Sequence, residues 1–488
     1  MIGEQQKNAV FAVVFSAVIV LLLAWYVFTS CDYPYYFIWD MDYVICLDTV
    51  LIQSGLLPDH ICHPGSGIYL PLFFSEKIAH LFGVLSALDL EELAGSLNPL
   101  AAMAELTDFV RLHSPFLSIG IAVFLSMAMH LMFGMSRWYL LLFLVFLGTQ
   151  ESLVYHSSMI RTELYSVFYW SGAVLAMAIA AKAAGPVKRC GALLITGLLL
   201  GLCFLTKIQS LFYLASLSVL LLLVFSLFQD KQKPNRRDIT RKAARWILAV
   251  SFFNVTAFLI LGIASYSAPW PRGVPTWASA FRVTPIATLF FLVLLSLSLC
   301  QLLLYLINKV SSDIFRFSSF LSITAAGFIL SFTFCFFLYS DAAVSLHYML
   351  LNFKIMFLRV PKLLKIPEPS VYAPNLLLHL RYNPTLFIVN IALNLLLVFG
   401  YLRKFVRITK GQLVLCLLVT ALAFVNIAVV TRPIFRDTLW KEVLLNFLNL
   451  FYFAILVSRA TRYRPLLARV GGGLLIVLFF VNIAVVTA

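Results

Sequence analysis

Residues 8–28 read NAVFAVVFSAVIVLLLAWYVF, without a single charged side chain. As an α-helix such a stretch is about 30 Å long, the thickness of a bilayer's hydrocarbon core. Inside lipid only a helix or a closed barrel satisfies its own backbone. The strand alternation of a barrel is absent, so the segment predicts a membrane-spanning helix. It is too long for a typical signal-peptide core and lacks a clear small-residue cleavage site, so it reads as a retained anchor.

The rest of the chain repeats the pattern. Of 488 residues, 62% are hydrophobic and only 12% are charged. A soluble protein cannot bury that much apolar surface. Hydropathy predicts an all-α polytopic membrane protein of about thirteen spans: 8–30, 115–134, 138–154, 164–181, 191–206, 208–228, 246–267, 285–307, 318–339, 384–401, 411–430, 442–458 and 470–487. The net charge of +15 does not indicate nucleic acid, because the basic residues sit in short loops between spans.

Charge also predicts orientation. With the N-terminus cytoplasmic, the inside connections hold 22 of the 36 Lys and Arg residues. Only Glu4, Asp230, Asp238 and Asp313 of the 21 acids fall there, which leaves 17 outside. The expected location is a bacterial inner membrane, in contact with its lipids. Two long connections, 31–114 and 340–384, fall on the outer face. Their semi-apolar stretches Ile68–Leu85 and Val344–Leu358 read as interfacial helices. No Walker or Rossmann glycine pattern occurs, so chemistry is expected outside. The chain divides into a module at 1–230, containing the first outer loop, and a second at 231–488.

The spans carry almost no charge; His130 is the one ionisable residue well inside one and is expected to hydrogen-bond a neighbouring helix. That counts against an ion-coupled transporter. Cys31, Cys46 and Cys62 share the first outer loop, where two of them could pair.

Just beyond the first span comes Phe37-Ile-Trp-Asp-Met-Asp-Tyr43, then Gly55, then His63-Pro-Gly65. Carboxylates are expensive at a membrane surface, so Asp40 and Asp42 are candidate bases for activating a hydroxyl. Trp39 and Tyr43 offer a stacking wall for a sugar ring or lipid chain. The competing reading is a pair of interfacial caps or surface charges. Tyr43–Leu56 reads as one amphipathic helix. Further along are Ile160-Arg-Thr-Glu163 and Gly201-Leu-Cys-Phe-Leu-Thr-Lys207.

These three segments, in this order over roughly the first 220 residues, resemble the GT-C superfamily of integral-membrane glycosyltransferases. The likeness is to the branch using lipid-phosphate sugars, which includes protein mannosyltransferases and aminoarabinose transferases. That branch places an acid after the first span, a helix ending in Gly, and a Lys/His-Pro-Pro/Gly turn. The resemblance implies Asp40 as catalytic base with Asp42 as close second, and Glu163 as a second acid. It places His63 near the donor phosphate. Arg161, Lys207, Arg381 and Arg432 are candidate phosphate contacts; their bland reading is pairing or headgroup anchoring. Trp270 and Tyr348 join Trp39 and Tyr43 as candidates for the sugar groove.

The implied reaction moves a sugar from a polyprenyl-phosphate donor to a glycolipid, lipid-linked glycan or protein acceptor, with inversion. A divalent cation (Mg2+, Mn2+ or Ca2+) held by Asp42 and Glu163 is one implied aid. Two other readings stand beside it. An O-antigen ligase or polymerase would use the later outer loop, with His347, Arg359 and Arg381. A lipid or glycolipid flippase would need a polar path through the bundle.

Overall fold

The structure is a computed structural model. It describes residues 4–29, 42–56, 58, 66–183, 185–207, 384–430 and 438–460, with scattered positions within 219–227, 323–331, 374–381 and 469–476. Among these residues the chain is helical. Seven runs are long and apolar enough to cross a bilayer: Gln6–Thr29, Pro99–Phe133, Thr162–Lys182, Val187–Thr206, Pro384–Leu402, Lys410–Ala428 and Lys441–Arg459. The expected spans 208–228, 246–267, 285–307, 318–339 and 470–487 lie wholly or mainly outside the described residues.

In chain order the described helices are α1 (Glu4–Thr29), α2 (Val44–Gln53), α3 (Ser66–Leu81), α4 (Leu90–Gly95), α5 (Pro99–Arg111), α6 (His113–Phe133), α7 (Arg137–Gly148), α8 (Glu151–His156), α9 (Thr162–Lys182), α10 (Pro186–Thr206), α11 (Pro384–Leu402), α12 (Lys410–Val430) and α13 (Thr438–Arg459). Four of them, α2 to α5, belong to the first outer loop. The interfacial stretch expected at Ile68–Leu85 is α3, which ends at Leu81. Val344–Leu358 lies outside the described residues.

Burial separates central from peripheral helices. The apolar windows of Thr162–Lys182 and Lys441–Arg459 are 78% and 83% buried, against 11% for Gln6–Thr29. Helix α9 packs along both α10 and α6, and its Trp170 meets Phe447 of α13 edge-on. Helix α1 leaves Val13, Val20, Leu21 and Phe28 exposed, a face suited to lipid. Its Tyr26 hydroxyl donates to the Gly148 carbonyl at 2.5 Å. Gly148 permits that approach, since a Cβ there would run into Leu22.

The α10 seam is built the same way. A Cβ at Gly197 would meet the Thr324 carbonyl, and one at Gly201 would meet Ser331 and the Phe328 carbonyl. Gly327 in turn faces the Leu194 carbonyl. Small residues four apart let two spans touch backbone to backbone, where dispersion rather than hydrophobicity holds helices together.

Side-chain amides join the last spans. Asn390 of α11 donates to Asn449 of α13 at 2.8 Å, and Thr420 of α12 pairs with the Tyr452 hydroxyl at 2.8 Å. Away from water these bonds fix helix register. At one end of this group Arg407 N–H donates to Arg459 O at 2.9 Å, Arg459 reaches the Leu227 carbonyl, and Gln412 reaches the Ser226 carbonyl.

One expectation needs correction, and two are narrowed. The span expected at 138–154 is two helices: α7 ends at Gly148, Gln150 is extended (φ −66°, ψ 135°), and α8 starts at Glu151. The polar run Thr149-Gln-Glu-Ser152 is hard to carry across lipid as a continuous helix. His130 does not hydrogen-bond a neighbouring helix through Nδ1, which has no partner among the described residues. Cys46 is a buried free thiol, so it is not half of a disulfide here, while Cys31 and Cys62 lie outside the described residues.

Candidate functional site

The expected helix after the Asp pair is α2, and Gly55 stops it as its sequence suggests. Gly55 takes φ +75°. Its N–H bonds Ile52 O and the Leu56 N–H bonds Leu51 O, the Schellman pattern that caps a helix with a left-handed residue. This turn sets where the outer loop reverses towards α3.

Asp42 sits one residue before that helix's N-cap and is completely buried. Its Oδ2 takes a fork from Arg111 at the end of α5, with Nε at 2.8 Å and Nη2 at 2.7 Å. Its Oδ1 accepts the Ile160 backbone N–H at 2.8 Å. Both oxygens are therefore engaged. Burial lifts the Asp42 carboxyl above its ordinary value, while the Ile160 N–H and Arg111 pull it back. A carboxylate in a bidentate Arg fork is geometrically fixed.

The bond to Ile160 leads directly to the second segment. Arg161 is extended and serves as the N-cap position of α9, which puts Glu163 in the first turn. Glu163 is 2% exposed and forms an ion pair with Lys207, the residue that ends α10. The Thr162 hydroxyl donates to its other oxygen at 3.1 Å. Of the two roles open to Arg161, pairing or phosphate contact, an ion pair with Glu163 is not formed: among the described residues, Glu163's ion-pair partner is Lys207. Arg161 turns its Nε to the Met159 sulfur at 2.9 Å, and its Nη1 has no partner among the described residues.

His156, at the end of α8, carries no sequence motif that marks it. It is fully buried, and its Nδ1 lies 2.7 Å from the Ser152 carbonyl. A carbonyl only accepts, so Nδ1 carries the hydrogen. Burial, with the nearby Arg161 and Lys207 charges, lowers the ring's pKa to about 4. The neutral ring therefore presents a bare lone pair on Nε2, which has no partner among the described residues. Glu442 at the start of α13 closes this side by accepting the Ser152 N–H at 3.3 Å.

A second acidic cluster lies under the outer loop. Glu76 of α3 is completely buried beside Thr49 and Gln53 of α2. Gln53 Nε2 donates to the Phe73 carbonyl at 3.0 Å and to Glu76 Oε2 at 3.4 Å. Burial pushes the Glu76 carboxyl up to about 8. Nearby, Tyr69 donates to buried Asp48 at 2.5 Å. No sequence signal short of an apolar-face carboxylate marks Glu76 in advance.

Comparison of the chain with protein-family models, with characterised proteins and with solved structures finds no match.

Of the other expected residues, Tyr43 is half-buried at the entrance to α2 and Arg381 is exposed before α11. Asp40, Trp39, His63, Trp270, Tyr348 and Arg432 lie outside the described residues. The suggested cation pair does not fit as held. Asp42 is held by Arg111 and Ile160, and Glu163 by Lys207 and Thr162, so neither is free to turn to a shared ion as placed. No group of three metal-binding side chains occurs among the described residues.

Proposed function

We propose that this chain is a glycosyltransferase that moves a sugar from a polyprenyl-phosphate donor to a hydroxyl acceptor at the extracytoplasmic face of a bacterial inner membrane. One observation supports it above the rest. The three segments of the family resemblance are joined to one another: Asp42 Oδ1 to the Ile160 N–H at 2.8 Å, and Glu163 to Lys207. Chance likenesses to three short motifs have no reason to bond together. They meet where alternate crossing gathers the outer ends of α1, α6, α9 and α10.

The mechanism we assign is direct displacement. Asp42 is committed to Arg111 and Ile160, so it positions the loop, and the base is Asp40, two residues earlier. Asp40 takes the acceptor hydroxyl's proton as that oxygen attacks the anomeric carbon. The bond from that carbon to the phosphate oxygen breaks, and lipid phosphate leaves with the electron pair. A single displacement inverts the anomeric centre. Arg161, with an N–H to spare, meets the charge growing on the phosphate. Lys207 holds Glu163 in place. The acceptor is a glycolipid, a lipid-linked glycan or a protein, and no step runs through a metal.

The test uses purified full-length protein with a panel of farnesyl phosphoryl sugars, following release of farnesyl phosphate. Asp40→Asn should lower release by at least about a hundredfold, the usual weight of a general base. Release from no donor in the panel, or full release by the variant, overturns the reading. Movement of glycolipid across vesicles without a new glycosidic bond would favour a flippase instead.

A further inference from the structure

The connection between α7 and α9 carries an unusual load of unsatisfied groups. Arg161 Nη1, His156 Nε2 and both amide atoms of Gln150 are buried without a partner among the described residues. Gln150, Ser152 and His156 are each at most 2% exposed, and Arg161 is 6% exposed. Native proteins pair nearly all buried polar atoms, so four orphans on one short connection need an explanation. A bound ligand with mixed donors and acceptors would explain them.

The chemistry of the orphans favours a ligand of a particular kind. Arg161 supplies a cationic donor. His156 supplies an acceptor, because its Nδ1 hydrogen is spent on the Ser152 carbonyl. The two side chains lie close enough for the Arg161 charge to act on the imidazole, and the Glu163 and Lys207 charges act on it as well. An anion alone would satisfy Arg161 and leave the Nε2 lone pair repelled. A neutral sugar alone would satisfy Nε2 and leave the guanidinium N–H without its preferred partner. A molecule bearing a hydroxyl beside a phosphate oxygen satisfies both.

We propose that His156 Nε2 and Arg161 Nη1 form a two-point reader for a glycosyl phosphate. Nε2 accepts from a sugar hydroxyl, and Nη1 donates to a phosphate oxygen. This rests on the donor class proposed above and adds a residue that determines sugar specificity. His156 binds; it takes no proton in the reaction. Gln150 supplies mixed donors and acceptors along the same connection, suited to further hydroxyls.

The experiment measures affinity in the full-length protein in detergent. The probes are farnesyl phosphate and its mannosyl, glucosyl, galactosyl and arabinosyl derivatives. In the unaltered protein the best derivative should bind about tenfold tighter than farnesyl phosphate, the worth of one good hydrogen bond. His156→Phe should erase that ratio and leave farnesyl phosphate binding unchanged. His156→Gln, whose Oε1 can replace the lone pair, should restore part of it. Arg161→Gln should weaken both ligands alike. Should His156→Phe misfold, monodeoxy analogues of the best sugar give the same answer in the unaltered protein, since one of them must lose the tenfold. The proposal is overturned if no sugar improves on farnesyl phosphate, if every monodeoxy analogue binds like its parent, or if a folded His156→Phe keeps the ratio. Failure of farnesyl phosphate and every derivative to bind would instead remove the donor class itself.

Discussion

Glu76 offers the sharpest test of the outer loop. Its carboxyl rises from 4.5 to about 8 through burial, with the Thr49 and Gln53 side chains offsetting part of it. The folded loop therefore holds a proton at neutral pH that the opened loop releases. The folded form binds more protons, so stability must fall as pH rises from 4.5 to 8 and level off above. At about 1.4 kcal/mol for each pH unit the whole span is worth roughly 5 kcal/mol, as an upper bound. Between pH 6 and 9 the same two pKa values give an opening equilibrium that shifts roughly 90-fold, or about 3 kcal/mol.

The orphan atoms agree with the sign. Glu76 Oε1 and Gln53 Oε1 both lack a donor among the described residues, and a neutral Glu76 brings one hydrogen to that deficit. Glu76→Gln carries an N–H2 in place of that hydroxyl and no titrating group. The readout is the buried free thiol of Cys46, one helix face away on α2. Maleimide labelling of Cys46, followed by mass spectrometry, reports opening of the α2–α3 contact. Thiolate chemistry also accelerates with pH, so the quantity that counts is the rate ratio of native chain to Glu76→Gln. It should climb roughly 90-fold from pH 6 to 9. A ratio that stays constant over that range refutes the reasoning.

Three further outcomes are expected. Arg111→Met should lower stability by about 3–5 kcal/mol, because it takes the cation from the buried Asp42 carboxylate, and Asp42→Asn by less, because Arg111 keeps Asp108; the double variant should recover part of the Arg111→Met loss in thermal unfolding. A double-mutant cycle on Glu163→Gln and Lys207→Met should show coupling of about 1–3 kcal/mol; additive effects would mean that the pair is not formed. Gly201→Leu should prevent the α10 seam from closing, since even a Cβ meets Ser331 and the Phe328 carbonyl, and should appear as loss of monodisperse protein where Gly191→Leu, with open space around it, does not.

The long apolar helices among the described residues were legible because apolar length acts locally. Lys207 and Glu163 were singled out by the resemblance to the GT-C branch, one at the end of an apolar run and the other at the start of one. Arg111 could not be matched to Asp42 in advance, since nothing in a sequence 69 residues apart specifies which of many outer cations turns inward. His156 and Glu76 were invisible for the same reason: their meaning lies in what burial does to them. The break at Thr149–Gln150 directly follows Gly148, and that glycine with the polar run after it is the signal the sequence carries. The likeness to the GT-C branch pointed to Asp42 as a second candidate base, whereas the fold ties it to a guanidinium and a backbone amide.

That tie also has a history during synthesis. Asp42 is made soon after α1, and Arg111 follows 69 residues later in the same connection. Ile160 comes 118 residues after Asp42, behind α6 and α7. At roughly 5–20 residues per second, the ribosome needs on the order of ten seconds to deliver it. For that interval the first outer loop can be half-fastened, by Arg111 alone, while two more hydrophobic helices are threaded past it. The final amide closes the clasp only when α9 has begun to emerge, so the loop's last rivet reports that the membrane bundle beneath it has been laid in order.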